Sequence, residues 1–153
     1  MKNVLPVICL LIMLCIGCSK QKQGCMAVKP ETEEPQILAF IAADSIHAAR
    51  HSSGIYYEII NPGAGTSPSQ KSNVTVTYTG KLLNGTIIDQ KTTPYAADLA
   101  GVIEGWQIGI PLIKKGGRIK LIIPSAYGYG CNGSGAIPPN SVLYYDVSLV
   151  SIQ

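Results

Sequence analysis

From residue 54 onward the apolar residues recur with a period of two, the spacing of strands with one face in a core. Val74, Val76 and Tyr78 alternate with Thr75, Thr77 and Thr79, which predicts a half-buried strand over 74–79. Ile119, Leu121 and Ile123 repeat the pattern, with Arg118 and Lys120 facing out. Near the C-terminus Leu143, Tyr145, Val147 and Leu149 share one face, and Tyr144, Asp146 and Ser148 the other. Residues 55–60, rich in Ile and Tyr, predict a further strand that ends at the turn Asn61-Pro62-Gly63. Asn84-Gly85 signals a hairpin leading into 86–88. Two stretches break this period. Over 104–110 Trp106 and Ile110 share a helical face, and Pro111 limits the helix. Ile37, Phe40 and Ile41 predict a short N-terminal helix opened by Pro35, with acidic residues Glu31, Glu33 and Glu34 ahead of it. Residues 66–72, 90–101 and 124–140 read as loops.

Strands in succession with one short helix between the third and fourth predict an α+β domain, an antiparallel sheet with that helix over one face. The 153 residues suffice for one such domain. Part of the 46% hydrophobic content lies in the N-terminus. There Lys2 precedes an apolar run over 4–16 that closes at Gly17-Cys18, the form of a secretory signal. The run is shorter than the ~20 apolar residues that span a bilayer. Leu14-Cys15-Ile16-Gly17-Cys18 resembles a bacterial lipobox, in which the last Cys is acylated; Cys15 stands where Leu is usual. The expected organisation is a signal over 1–17, a lipidated polar tether over 18–34, an N-terminal helical segment over 35–53 and the sheet domain over 54–153. Ser19 in place of Asp, and basic and amidic residues after it, favour an outer-membrane anchor facing the periplasm.

The formal charge of +3 and the lack of a basic cluster interleaved with aromatics argue against nucleic acid as a partner. His47 and His51 have i, i+4 spacing, but no third ligand accompanies them, so no metal is expected. Cys25 and Cys131 remain after the signal and the lipidated Cys18. A bridge between them is open in an oxidising compartment, but nothing in the sequence brings the two together, and unpaired thiols are the favoured expectation. No nucleophile–base pair is evident, and the glycine-rich stretch 128–135 lacks the Lys-Ser/Thr ending of a phosphate loop. No cofactor is implied.

What does stand out is an ordered series of short motifs. They are Val74-Thr75-Val76-Thr77-Tyr78-Thr79-Gly80, Asn84-Gly85-Thr86-Ile87-Ile88-Asp89, Val102-Ile103-Glu104-Gly105-Trp106, Ala126-Tyr127-Gly128-Tyr129-Gly130, Ile137-Pro138-Pro139-Asn140 and Tyr144-Tyr145-Asp146-Val147. Together they resemble the FK506-binding-protein family of peptidyl-prolyl isomerases. The resemblance implies a curved antiparallel sheet wrapped around one short helix, with a ligand pocket between them. It places Trp106 on the pocket floor and Tyr78, Tyr95, Val102, Ile103, Tyr129 and Tyr145 on the walls, with Ile88 beside Asp89 and Ile137 in the following loop. Tyr78, Asp89 and Tyr129 are the residues expected to act on the bound imide, and the Ile103 N–H and Tyr129 hydroxyl to meet substrate or drug carbonyls. Taken singly, Val102, Trp106 and Tyr145 read better as core, whereas Tyr129, between two glycines, has little core to join. Asp89 is suited to accept a hydrogen bond from Tyr78.

Three positions depart from the family pattern: Ile88, Tyr95 and Tyr145 stand where Phe is usual. The implied function is prolyl isomerisation on proline-containing exported polypeptides, with FK506-type macrolides as candidate ligands and the membrane reached through lipid. The alternative is a binding or chaperone module of the same fold.

Overall fold

The structure, a computed structural model, describes residues 24–153. The signal expected over 1–17 and the lipidation expected at Cys18 lie outside the described residues. Six strands form one antiparallel sheet: β1 (Ala49–Arg50), β2 (Tyr56–Asn61), β3 (Asn73–Leu82), β4 (Ile87–Asp98), β5 (Arg118–Ile123) and β6 (Leu143–Ile152). Their spatial order is β1-β2-β5-β6-β3-β4, so β6 is central and β4 is a long edge. Helix α2 (Glu104–Gly109) lies on one face, and α1 (Pro30–Ala43) packs on the other.

The alternation read in the sequence is the alternation seen. Val74, Val76 and Tyr78 of β3, Ile119, Leu121 and Ile123 of β5, and Leu143, Tyr145, Val147 and Leu149 of β6 point into the main core, where Trp106 and Ile110 meet them. Helix α2 is short, and it sits unusually close to β5. A Cβ at Gly105 would stand 2.5 Å from Ile123 Cγ2, and one at Gly109 2.5 Å from Leu121 Cδ2. Only a residue without a side chain fits at these two positions, one helical turn apart. Pro111 falls in the 3₁₀ turn Ile110–Leu112 that ends the helix.

The opposite face carries a second cluster. Ile37 of α1 packs with Ile46, Tyr56, Ile122 and Val142, and the Phe40 and Tyr144 rings lie 5.5 Å apart. Strand β5 is thus buried on both faces at Leu121, Ile122 and Ile123, which is why its end is an unbroken apolar run. Glu34 of α1 accepts a hydrogen bond from the Tyr56 hydroxyl and pairs with Arg50 at 2.9 Å.

Three expectations need correction. Residues 90–101 are not a loop: β4 runs through Asp98 and pairs with β3 along its length. Its residues are nearly all exposed, only Ala97 is buried, and a bulge sets Thr92, Thr93 and Pro94 between the pairs Tyr78↔Lys91 and Val76↔Tyr95. An edge strand that buries almost nothing shows no alternation, and proline is tolerated at a bulge. The N-terminal helix starts at Pro30 rather than Pro35, so the tether expected to reach residue 34 gives way to helix there. Pro30 sits in the first turn, where its missing N–H costs nothing, and Pro35 removes one bond from the second. Cys25 and Cys131 are joined in a disulfide, with Cα atoms 5.6 Å apart across a separation of 106 residues. Their proximity follows from the docking of α1, which no local pattern encodes. His47 and His51 fall outside any helix, and the His51 Nδ1 meets Ser53 Oγ at 2.9 Å.

Ile37 is wholly buried between helix and sheet. Ile37→Ala is expected to cost about 2–5 kcal/mol in denaturant unfolding. An Ala variant as stable as the parent would show that α1 adds nothing to the domain.

Candidate functional site

The site is built where the α2-facing side of the sheet meets the N-terminal end of α2. Trp106 is held at the bottom by the Gly105 and Gly109 contacts with β5, and is 5% exposed. Two tyrosine rings meet it edge-on. Tyr78 of β3 lies 4.8 Å away at 87°, and Tyr145 of β6 lies 5.3 Å away at 85°. Edge-to-face contacts at these separations are the favoured aromatic geometry, so the floor is stiff as well as apolar. Gly80 makes room for the Tyr145 ring, since a Cβ there would stand 2.4 Å from Tyr145 Cε1. Above this floor is an open cavity of about 180 Å³ lined by Tyr78, Asp89, Tyr95, Ala97, Val102, Ile103, Trp106, Tyr129 and Tyr145.

The polar groups are few and placed. The Tyr78 hydroxyl donates to Asp89 Oδ2 at 2.5 Å, and Asp89 Oδ1 accepts from the Gln90 N–H at 2.8 Å. Both carboxylate oxygens are therefore engaged, and Tyr78 is fixed by its donor bond. Ile103 is the N-cap of α2; its carbonyl accepts from the Trp106 N–H at 3.0 Å. The Gln107 side chain donates to the Val102 carbonyl at 2.9 Å, which fixes the peptide linking Val102 to Ile103. That leaves the Ile103 N–H with no acceptor among the described residues. Tyr129 caps the 3₁₀ turn Gly130–Asn132 and enters the cavity from the loop between β5 and β6. Tyr95 forms the outer rim at 46% exposure, with Lys91 Nζ 5.6 Å from its ring centre.

Of the residues expected from sequence, Tyr78, Asp89, Tyr95, Val102, Ile103, Trp106, Tyr129 and Tyr145 converge on the cavity. Ile88 and Ile137 do not line it. Ile88 packs on the core from beside Asp89, and Ile137, buried, anchors the loop through its bridge to Ser134. Ala97 is the lining residue that sequence reading missed. A small residue on an edge strand gives no signal, and only its pairing with Val74 places it. Tyr127 is half-buried against the core, where it props the loop.

Residues 65–150 match the FKBP-type peptidyl-prolyl cis-trans isomerase family, and the chain belongs to that family. The FKBP-type peptidyl-prolyl cis-trans isomerase FkpA of Escherichia coli K12 is 42% identical over 105 residues, which cover 67% of this chain and 39% of that protein. A probable FKBP-type peptidyl-prolyl cis-trans isomerase of Haemophilus influenzae is 36% identical over 143 residues, covering 90% of this chain and 58% of that one. The matched segments thus span 39% and 58% of the lengths of these relatives. Among solved structures, FkpA from Escherichia coli superposes with a TM-score of 0.72 at 34% identity, over 81% of this chain and 61% of that one. A peptidyl-prolyl cis-trans isomerase from Pseudomonas syringae pv. tomato DC3000 gives 0.70 at 29% identity, over 84% of this chain and 98% of that one.

Burial, and next the hydrogen bond to Asp89, push the Tyr78 hydroxyl well above its ordinary value. Burial pushes Tyr145 up in the same direction, with Tyr129 and Asp89 adding to it. Burial also raises Tyr144, on the other face, to about 12. A tyrosine raised in the folded state binds its proton more tightly than in the unfolded chain. Its contribution is fully present below the unfolded value of about 10, and is lost as pH rises through the folded value. Absorbance titration near 295 nm should therefore show these tyrosines ionising late, with stability falling only above pH ~10. Ionisation of all tyrosines near their ordinary value in the folded protein would contradict the packed floor.

Proposed function

We propose that this chain is a peptidyl-prolyl cis-trans isomerase acting on proline-containing polypeptides exported to the cell envelope. The observation that carries the reading is the concave aromatic cavity over Trp106, with the Ile103 N–H and Tyr129 at its edges. Rotation about a peptide bond meets a barrier of ~18–20 kcal/mol because twisting destroys amide resonance. X-Pro bonds interconvert in tens to hundreds of seconds, slow enough to limit folding. The twisted imide has less charge separation than the planar one, so an apolar floor disfavours the planar ground state relative to it. The prolyl ring rests on Trp106 between Tyr78 and Tyr145. The Ile103 N–H and the Tyr129 hydroxyl hold the flanking carbonyls in the twisted geometry, and Asp89 keeps Tyr78 in place. No covalent step and no cofactor enters this scheme.

A second reading is favoured by one feature: the wall beside Asp89 carries Ile88, which packs on the core and leaves an aliphatic side chain where the family pattern has an aromatic one. On this reading the domain binds prolyl segments as a chaperone module with little catalysis. FK506-type macrolides are the proposed small-molecule ligands of the same cavity. The lipobox-like stretch ending at Cys18 supports anchoring by lipid, most simply in the outer membrane facing the periplasm. No helix among the described residues is long and apolar enough to cross a membrane. Acyl chains contribute about 0.8 kcal/mol per buried methylene, which gives a lipidated Cys18 the means to hold the chain.

The domain should accelerate the proline-limited refolding phase of a model protein, and an FK506-type macrolide should suppress that effect. Tyr129→Phe should weaken prolyl-peptide binding by a few-fold, the value of one hydrogen bond of about 0.5–1.5 kcal/mol, while barely changing Tm. A slow phase unaffected by stoichiometric folded domain would hand the case to the binding-module reading.

Anchoring has its own test. Cys18→Ser should abolish acylation and release the protein from the envelope fraction. Retention of the variant with membranes, sensitive to detergent, would remove the lipobox reading.

A further inference from the structure

Tyr129 stands in a glycine-rich loop, with Gly128 and Gly130 on either side and Gly133 and Gly135 beyond. Glycines leave such a backbone many conformations, and ordering it on binding costs affinity. The loop is nevertheless fastened on both sides of Tyr129 by one external body, the segment that leads into and opens α1. On the near side, Glu33 of α1 is 4% exposed and its Oε2 accepts a hydrogen bond from the Ser125 N–H at 2.8 Å. Ser125 is itself fully buried and opens the 3₁₀ turn Ser125–Tyr127. On the far side, Cys25 is bonded to Cys131, inside the turn that Tyr129 caps. Burying a carboxylate is costly, and Glu33 offsets that with a single hydrogen bond: its Oε1 and the Ser125 Oγ have no partner among the described residues. An apolar side chain at residue 33 would fill the same space without that cost. What Glu33 adds is a fixed point at the root of the loop.

We propose that Glu33 and the Cys25–Cys131 bridge are positioning groups for Tyr129, holding its hydroxyl over the prolyl cavity so that little ordering remains when substrate binds. None of the three residues lines the cavity, and they act through the loop alone. The proposal rests on Tyr129 meeting the bound prolyl peptide, as described above.

The test is a double-mutant cycle in the full chain. A tetrapeptide with a Leu-Pro bond is titrated by Trp106 fluorescence, and amide exchange is followed over residues 126–132. Cys25→Ser with Cys131→Ser should weaken peptide affinity roughly three- to ten-fold, with the change in KM rather than in kcat. Glu33→Leu should act in the same direction with the bridge intact. Glu33→Gln, whose amide oxygen can still accept from the Ser125 N–H, should bind like the parent. In a Tyr129→Phe background, opening the bridge should change affinity by less than about twofold, because the group being positioned is gone. Exchange over 126–132 should quicken on opening the bridge while that of β5 and β6 is unchanged. Equal losses of affinity in both backgrounds would reduce the bridge and Glu33 to cross-braces of the fold and overturn the proposal. A parent that binds no prolyl peptide would sink the isomerase reading instead, and loop exchange would then decide alone: an unchanged rate overturns the positioning role.

Discussion

The close approach of α2 to β5 is the constraint on which the rest depends. Without side chains at Gly105 and Gly109 the helix sinks onto Ile123 and Leu121, and Trp106 between them is carried to the depth at which Tyr78 and Tyr145 meet its edges. A helix lifted by a methyl group at either position would raise the floor, part the tyrosine rings and shrink a cavity that is already small. Gly80 answers the same demand from the sheet side, by giving the Tyr145 ring its place. The site is therefore a by-product of backbone proximity. Its aromatic residues do not so much line a pre-existing pocket as define one by packing as closely as glycine permits.

The sheet is sandwiched unequally. The main core under α2 is the larger, while the second cluster under α1 is built on Ile37, Ile46, Tyr56, Ile122 and Val142 and has ion pairs near it. Glu58 of β2, near that rim, pairs with Lys120 at 2.8 Å and accepts from the His47 N–H at 3.1 Å; the lysine contact leads in holding its carboxyl below the usual range. The Arg50–Glu34 pair, which reaches α1, is partly exposed and adds little to stability, so the apolar face of α1 does more to hold it. This matters for the site because the body that covers the outer face also reaches round to the loop carrying Tyr129.

What the sequence made legible were the features with a period or a local signature. The alternation of β3, β5 and β6 located the core, the hairpin at Asn84-Gly85 joined β3 to β4, the motif series held seven of the nine cavity residues, and the family resemblance added Tyr95. The failures have physical causes. Strand β4 is an edge that buries little, so hydrophobic periodicity had nothing to report. Ala97 was invisible for the same reason. The start of α1 at Pro30 was hidden because a second proline at 35 looked like the better opening. The Cys25–Cys131 bridge and the Glu33–Ser125 contact link residues about a hundred positions apart, and both depend on where α1 docks, a tertiary outcome.

The bulge at Thr92, Thr93 and Pro94 has a consequence for coexistence with other chains. Strand β4 carries part of the cavity wall, beside which the proposed polypeptide substrate would lie, and a long bare edge is a template for unwanted strand pairing. Proline removes a donor from that edge, the bulge bends it out of register, and Lys91 sets a charge beside it. An edge so interrupted is a poor template for a growing sheet. The same irregularity that hid β4 from sequence reading is a defence against aggregation by the molecules this protein is proposed to serve.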